Sequence, residues 1–406
     1  MSTIENFTFR MSDHRRRRRH VLAVILLGVF LAASSQATIH EIVADPLDSE
    51  ANCTAIVTTI TGITGASQND AHQIRLGPGN YKCTNQTIVM KEWVDIVGSG
   101  IETTLVQGTG AADTDAGGMN VLIRTADNAE LRQMMVEMNN VTADSIGIFI
   151  YEAATRVDNV DVMLDNGSAS CFAVLTHALS GVSGTNTPWR PVLRNGFFES
   201  RKCSDTYGVQ IQGKTLPQIR RSYLMATAAD GLSGHNVALR FYETDVQNGS
   251  DNIKIRDVEM GAYGTNGDSA ECYAIEFSNI EKLFKTSFFA VKASADKCSQ
   301  GNVALDNVGN STKADRHVVF FDSHLKGTKG DLSTNDVGIE ADGTKVFVKM
   351  YGGTIISQGP SIRATDSASV EVGSTHLKGT GVEGGSLVKC AGVYDENFDF
   401  FASSCP

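Results

Sequence analysis

The feature that most restricts this chain is a phrase that keeps returning: a short run of alternating apolar residues, one small polar residue, then another run. It reads RVDNVDV at 156–162, VLRNGFF at 192–198, IRRSYLM at 219–225, IKIRDVEM at 253–260, LFKTSFF at 283–289 and VFFDSHLKGT at 319–328. The clearest copy is SHLKGT at 323–328, which comes back as THLKGT at 375–380. With Asn159, Asn195, Ser222, Asp257, Ser287 and Ser323 taken as equivalent turns, the steps are 36, 27, 35, 30 and 36 residues. Strands recurring at such a period indicate a solenoid or a propeller. Propeller blades need four strands and a steadier period, and leucine-rich repeats need a leucine-asparagine signature that is absent. Helical repeats need a 3.6-residue period, which the alternation, the β-branched residues and 39 glycines oppose. The reading that remains is a parallel β-helix, whose coils stack at the strand spacing of about 4.8 Å, so that equivalent residues form ladders.

Such a winding needs closed ends, because an open coil exposes unpaired strand edges. CTAIVTTITGITG at 53–65 places apolar residues at 56, 57, 60 and 63, the spacing of an amphipathic helix, and predicts a helical lid there. The tail VYDENFDFFASSCP predicts a cap at the other end, over 390–406. Ahead of the lid, Arg15–Arg19, the apolar run 21–33 and Ser35-Gln36-Ala37 form the three parts of a secretory signal, so 1–37 is expected to be removed. The apolar run is too short to span a bilayer, and no membrane span is expected after cleavage.

All eight cysteines (53, 83, 171, 203, 272, 298, 390 and 405) lie beyond that signal, and none forms a CxxC pair. An even count in an exported chain reads as disulfides rather than zinc ligands. Sequential pairing is the simplest of the 105 connectivities: Cys53–Cys83, Cys171–Cys203, Cys272–Cys298 and Cys390–Cys405. The formal charge is −11, and removing residues 1–37, with six arginines and two acids, leaves about −15. That surface disfavours nucleic acid and anionic lipid as partners.

IRLGPGNY at 74–81, followed by VDIVGSG and TTLVQG up to Gly108, resembles the entry coil of the pectin-lyase-like right-handed β-helix superfamily, pectin methylesterases in particular. The resemblance implies the right-handed fold and work on polysaccharide, and it carries over no catalytic residue from that stretch. The esterase pattern of two aspartates and an arginine is not found, and NTPWRPVLR at 186–194 has its Trp, Arg and Pro in another order. The polygalacturonase pattern needs a second acid beside Asp230 and His235. The lyase pattern implies carboxylates holding calcium and a basic residue that abstracts a proton. It points to Asp158, Asp161 and Asp165 as metal ligands, and to Asp161, Asp165, Arg190 and Arg194 as catalytic candidates, although Trp189 stands where that motif begins with arginine. His324 and His376 occupy equivalent repeat positions two coils apart, as products of duplication rather than as one metal site.

The repeat adds one constellation of its own. A basic residue precedes the turn position in four coils, at Arg132, Arg194, Arg221 and Arg256, and Arg156 lies two residues before Asp158. Stacked like charges repel, so a column of arginines suits an acidic polysaccharide whose carboxylates match guanidinium forks. The expectation is an all-β, right-handed parallel β-helix of about ten coils, secreted or periplasmic, that binds or processes a uronate-containing polysaccharide, with calcium as the one cofactor in view. The rival expectation is a non-catalytic surface or adhesion scaffold. Peptide mapping under non-reducing conditions checks the coil alignment: the four sequential cysteine pairs are expected, and a link such as Cys53–Cys298 would contradict it.

Overall fold

Alternation carries the chain around three flat faces. The computed structural model describes residues 37–406 except 166, 168, 180–181, 183–186, 229–233, 245–252, 265–270, 279, 281–283, 309–314, 329–335 and 385–386, so the signal segment, apart from Ala37, and Asp230 lie outside the described residues. Strands such as Val192–Arg194, Gln218–Arg220 and Ile253–Arg256 build a first sheet. Phe197–Arg201, Tyr223–Thr227 and Glu259–Tyr263 build a second. A third contains Ser145–Tyr151, Ser170–Ala178, Asp205–Gly213, His235–Thr244, Glu271–Ser278, Gly301–Val308 and Asp336–Asp342. Coil pairs with coil in parallel on all three faces, and the winding is a right-handed parallel β-helix. Eleven strands succeed one another on the third face among the described residues, one more than the expected ten or so.

Register turns the sequence pattern into columns. On the first sheet Val157, Leu193, Ile219, Ile255, Phe288, Phe320, Met350 and Val372 stand in line, each buried. Phe288 stacks on Phe320 at 4.6 Å, and Phe241 on Phe277 at 4.4 Å, offset rings being the favoured contact when one aromatic sits on the next.

The small polar residue of the repeat marks a corner between the first and second sheets. Gln133, Asn159, Asn195, Arg221, Asp257, Ala290 and Asp322 have φ between 47° and 57° or close to it, at 57°, 56°, 54°, 48°, 53°, 51° and 48°. A single left-handed residue turns the chain without an insertion, so Arg156–Asp165 and Arg316–Thr328 run through both sheets as bent strands. The corner amides continue the ladder: Asn195 N donates to Arg220 O at 3.1 Å, and Arg221 N to Arg256 O at 3.0 Å. Three turns expected at Ser222, Ser287 and Ser323 belong one, three and one residue away, at Arg221, Ala290 and Asp322. Those serines are buried, and the Ser222 and Ser323 hydroxyls bond back to the carbonyls of Arg220 and Phe321 at 2.9 Å each.

Both ends are closed. The lid helix spans Ser49–Gly62, four residues earlier than its expected start, with Asp48 accepting from Ala51 N at the N-cap. Cys53, Ile56 and Ile60 face the first coil, and Lys91 Nζ donates to the carbonyls of Thr61 and Ile63 at 2.8 and 2.7 Å. Ahead of it, Thr38–Ile42 adds a strand on His72–Leu76 that the repeat did not announce. At the far end Phe400–Phe401 folds antiparallel onto Val393–Tyr394. All four sequential disulfides are present, with Cα separations of 5.4, 6.0, 5.7 and 5.1 Å. A β-branched side chain is the least tolerated at a left-handed corner. Asn195→Val is expected to destabilise the protein by about 1–2 kcal/mol in urea unfolding, and Asn195→Gly to cost much less.

Candidate functional site: a carboxylate column on the third sheet

The third-sheet strands share a local rule, a small residue, an aliphatic one, then a polar one: GVQ at 208–210, ALR at 238–240, AIE at 274–276, ALD at 304–306 and GIE at 338–340. The small residue faces a narrow part of the interior. A Cβ on Gly208 would lie 2.6 Å from Ala238 O, and one on Gly338 2.2 Å from Ile355 Cγ2. The aliphatic residue joins the core, and the polar one falls on the outer face. In register this builds one column: Leu175, Gln210, Arg240, Glu276, Asp306, Glu340, Arg363 and Glu383. Three carboxyls therefore occupy three successive coils, about 4.8 Å apart at the backbone.

The outer two are tied to arginines. Glu276, nearly fully buried, meets Arg240 Nε at 3.1 Å, and Glu340 meets Arg363 at 3.7 Å while Arg363 also holds Glu383 at 2.8 Å. Arg240 is fixed in turn: it donates to Tyr207 Oη at 3.1 Å and lies over the rings of Tyr207 and Tyr242 at 5.1 and 4.5 Å. Tyr207 stacks on Phe172 at 4.7 Å, part of an apolar cluster on this face. Asp306, between the glutamates, has a buried Oδ1 with no hydrogen-bond partner. Burial pushes its carboxyl well above the usual range, and the charges of Glu276, Glu340, Glu271 and Asp342 push the same way. The buried Arg316 acts against them, its own guanidinium lowered by burial and held up by Asp306. Burial raises Glu340 less strongly, with Arg363 pulling it back. A carboxyl that keeps its proton beside arginine-bound carboxylates can donate that proton while a neighbour acts as base or nucleophile.

The residues singled out from sequence lie elsewhere. On the outside of the first sheet, Arg75, Val97, Arg132, Asp158, Arg194, Arg220 and Arg256 form one column, followed by Phe289, Phe321 and Tyr351. Arg221 is not a member: it is the corner residue, and Arg220 takes the place expected of it because the left-handed position is Arg221 rather than Ser222. Arg156 shares this face two residues before Asp158 and pairs with Glu130 at 3.5 Å, which Arg132 also approaches at 3.7 Å. A cavity of about 350 Å³ opens at the N-terminal end of the column, lined by Arg75, Val97 and Arg132 among others.

Asp158, Asp161 and Asp165 do not converge. Asp158 is bound by Arg194 at 2.5 Å and Asn195 at 2.7 Å, Asp161 accepts from Phe197 N at 3.0 Å, and Asp165 meets Arg201 at 2.9 Å and Lys202 at 3.5 Å. The corner falls between the first and the other two, so the strand turns them onto different sheets. Among the described residues no group of three or more His, Cys, Asp or Glu is placed to hold a metal ion. Arg190 lies in the segment leading to Val192–Arg194, next to Trp189, which bridges to Thr215. His235 sits at the edge of the third sheet, 3.7 Å from Glu271 and stacked on Tyr273. His324 and His376 stand two coils apart with Thr354 between them.

No protein-family model and no curated protein sequence matches the chain. Solved structures similar to it include the catalytic unit of a GH87 α-1,3-glucanase from Streptomyces thermodiastaticus: 12% identity, 87% of this chain and 67% of that one, TM-score 0.39. A rice weevil pectin methyl esterase is 9% identical over 77% of this chain and 82% of its own, with a TM-score of 0.36. The A-module of a mannuronan C-5 epimerase from Azotobacter vinelandii is 10% identical over 87% and 96%, with a TM-score of 0.34. Likeness at this level carries no argument about activity. The chemistry rests on the column itself. A carboxyl whose pKa is raised by folding keeps its proton in the folded state while the unfolded chain has lost it, so its contribution favours the folded state at low pH and is lost as pH rises from the ordinary carboxylate range through the raised value. Asp306→Asn removes that loss. The variant is expected to gain melting temperature over the wild type at pH 8 and little at pH 4.

Proposed function

We propose that this protein is secreted and hydrolyses a glycosidic bond in a uronate-containing polysaccharide at the third-sheet column. The observation that carries the reading is the register of Glu276, Asp306 and Glu340 on three successive coils, with burial and its acidic neighbours pushing the middle carboxyl, Asp306, well above the usual range. Asp306 gives its proton to the glycosidic oxygen as the bond to the anomeric carbon breaks. Glu276 or Glu340, one coil away on either side, receives the charge developing at that carbon, as nucleophile or as base toward a water. Glycosidases use two carboxyls about 5–9.5 Å apart, and the spacing of neighbouring coils, about 4.8 Å at the backbone, lies beside the short end of that range. Arg240 and Arg363 bracket the three acids and suit a polymer whose sugars carry carboxylates. Secretion is supported by the N-terminal signal pattern and four disulfides, which persist in oxidising compartments.

A second reading, a non-catalytic scaffold, is favoured by the first sheet, where Glu130, Arg132, Arg156, Asp158 and Arg194 largely neutralise one another. Incubation with polygalacturonate and with alginate separates the two. New reducing ends are expected without the ultraviolet absorbance of an unsaturated product. Asp306→Asn is expected to lower the rate about 10²–10⁴-fold while leaving the fold intact, and the wild-type rate should fall as pH rises and Asp306 loses its proton. A wild-type protein that releases no reducing ends from any uronate polymer leaves the scaffold.

A further inference from the structure

Two arginines on the first sheet stand in an arrangement that folding alone does not explain. Arg220 and Arg256 are in register on adjacent coils, both exposed, on the outward face. Their backbones are about 4.8 Å apart, so two positive charges stand on neighbouring strands of one face. Among the described residues neither makes an ion pair. Arg220 is held by a neutral acceptor, Gln218 Oε1, at 2.7 Å. Arg256 is held by a ring: its guanidinium lies 4.7 Å over Phe289, which stacks on Phe321 at 5.0 Å, which stacks in turn on Tyr351 at 5.8 Å. Lys254 adds an exposed positive charge beside them, opposite Gln218, and Arg221 another at the corner. The acids nearest in sequence, Asp257 and Glu259, belong to the corner and to the second sheet.

The same column shows the alternative. Where Arg132, Asp158 and Arg194 succeed one another, the charges alternate and Asp158 is bound by Arg194. At Arg220 and Arg256 that compensation is missing, although the protein as a whole is acidic. Neutral partners fix the direction of both guanidinium groups while leaving their charge unbalanced. An anion placed across the two would relieve the repulsion and find donors already oriented. A linear polyuronate fits better than a single small anion, because one chain carries several carboxylates and can meet both guanidinium groups at once.

We propose that Arg220 and Arg256, flanked by Lys254, form a docking track for the carboxylates of an acidic polysaccharide, on a different face from the carboxylate column. The aromatic ladder from Phe289 to Tyr351 serves as a brace that holds Arg256 in the track. The proposal shares its polymer class with the function proposed above but none of its residues, so the two can fail separately.

The test is titration of oligogalacturonate of ten or more residues into the Asp306→Asn protein, which removes the proposed general acid and leaves the track. Saturable binding that weakens with added salt is expected. Adding Arg220→Gln and Arg256→Gln should weaken it about tenfold or more, with the melting temperature unchanged. Arg256→Lys, which keeps the charge but loses the planar fork, should fall between. Phe289→Ala should weaken binding with Arg256 still present, the mark of a brace. Unchanged affinity in the double arginine variant would overturn the proposal. So would equal affinity for a neutral glucan or for single-stranded DNA of the same length, either of which would make the patch unselective. If oligogalacturonate binds as proposed but no polymer is cleaved by the wild type, the track stands and the hydrolytic reading falls.

Discussion

The parallel ladder of backbone hydrogen bonds between successive coils is the constraint on which everything else here depends. It fixes the rise at one strand separation and allows no slip, since a one-residue shift would send every inward side chain outward. Each residue then meets its equivalents above and below. Inside, this brings apolar side chains into columns and puts Phe288 on Phe320. Outside, it forces groups together that would otherwise keep apart, acid upon acid at Glu276, Asp306 and Glu340, and arginine upon arginine at Arg220 and Arg256. The chemical interest of the molecule is a by-product of that enforced proximity.

The two outer faces resolve the problem of stacked charge in different ways. On the third sheet burial and neighbouring acids push one carboxyl toward its protonated form, while the acids beside it keep arginine partners. On the first sheet most charges alternate in sign, and the positions that do not are held by an amide and a ring. Guanidinium groups have no equivalent of Asp306's route, because they do not lose their proton at any ordinary pH. An arginine pair can only be compensated from outside.

Much of the fold was legible in the sequence because its signals are local. Alternation, glycine-rich turns, cysteine order and the helical spacing at 56–63 all predict elements that the structure contains. The corner was less legible. Asn159 and Asn195 advertise a left-handed conformation, whereas Gln133, Arg221 and Ala290 adopt it without any compositional sign, because the flanking coils impose it. That concealment moved Arg221 into the expected arginine column in place of Arg220. The carboxylate column was missed for a different reason. Glu276, Asp306 and Glu340 lie 30 and 34 residues apart on three different strands, and no motif joins them until the strands are put in register. The small-aliphatic-polar rule of the third sheet would have aligned them. The acid-rich stretch at 158–165 is the more conspicuous signal in the sequence, yet its members are each taken by a different neighbour.

The disulfides give the rod a mechanical character. Each joins residues 15 to 32 apart, and the bridges at Cys171–Cys203 and Cys272–Cys298 each tie one coil to the next. Tension applied between the two ends of the chain passes through the sulfur bridge and bypasses the loop it encloses. Those enclosed lengths are hidden from the pulling force. A coil peeled from either end adds its full length to the extension unless a bridge encloses it. A rod built this way would lengthen in uneven steps, short where a bridge encloses a coil and full between Cys203 and Cys272, which no bridge spans.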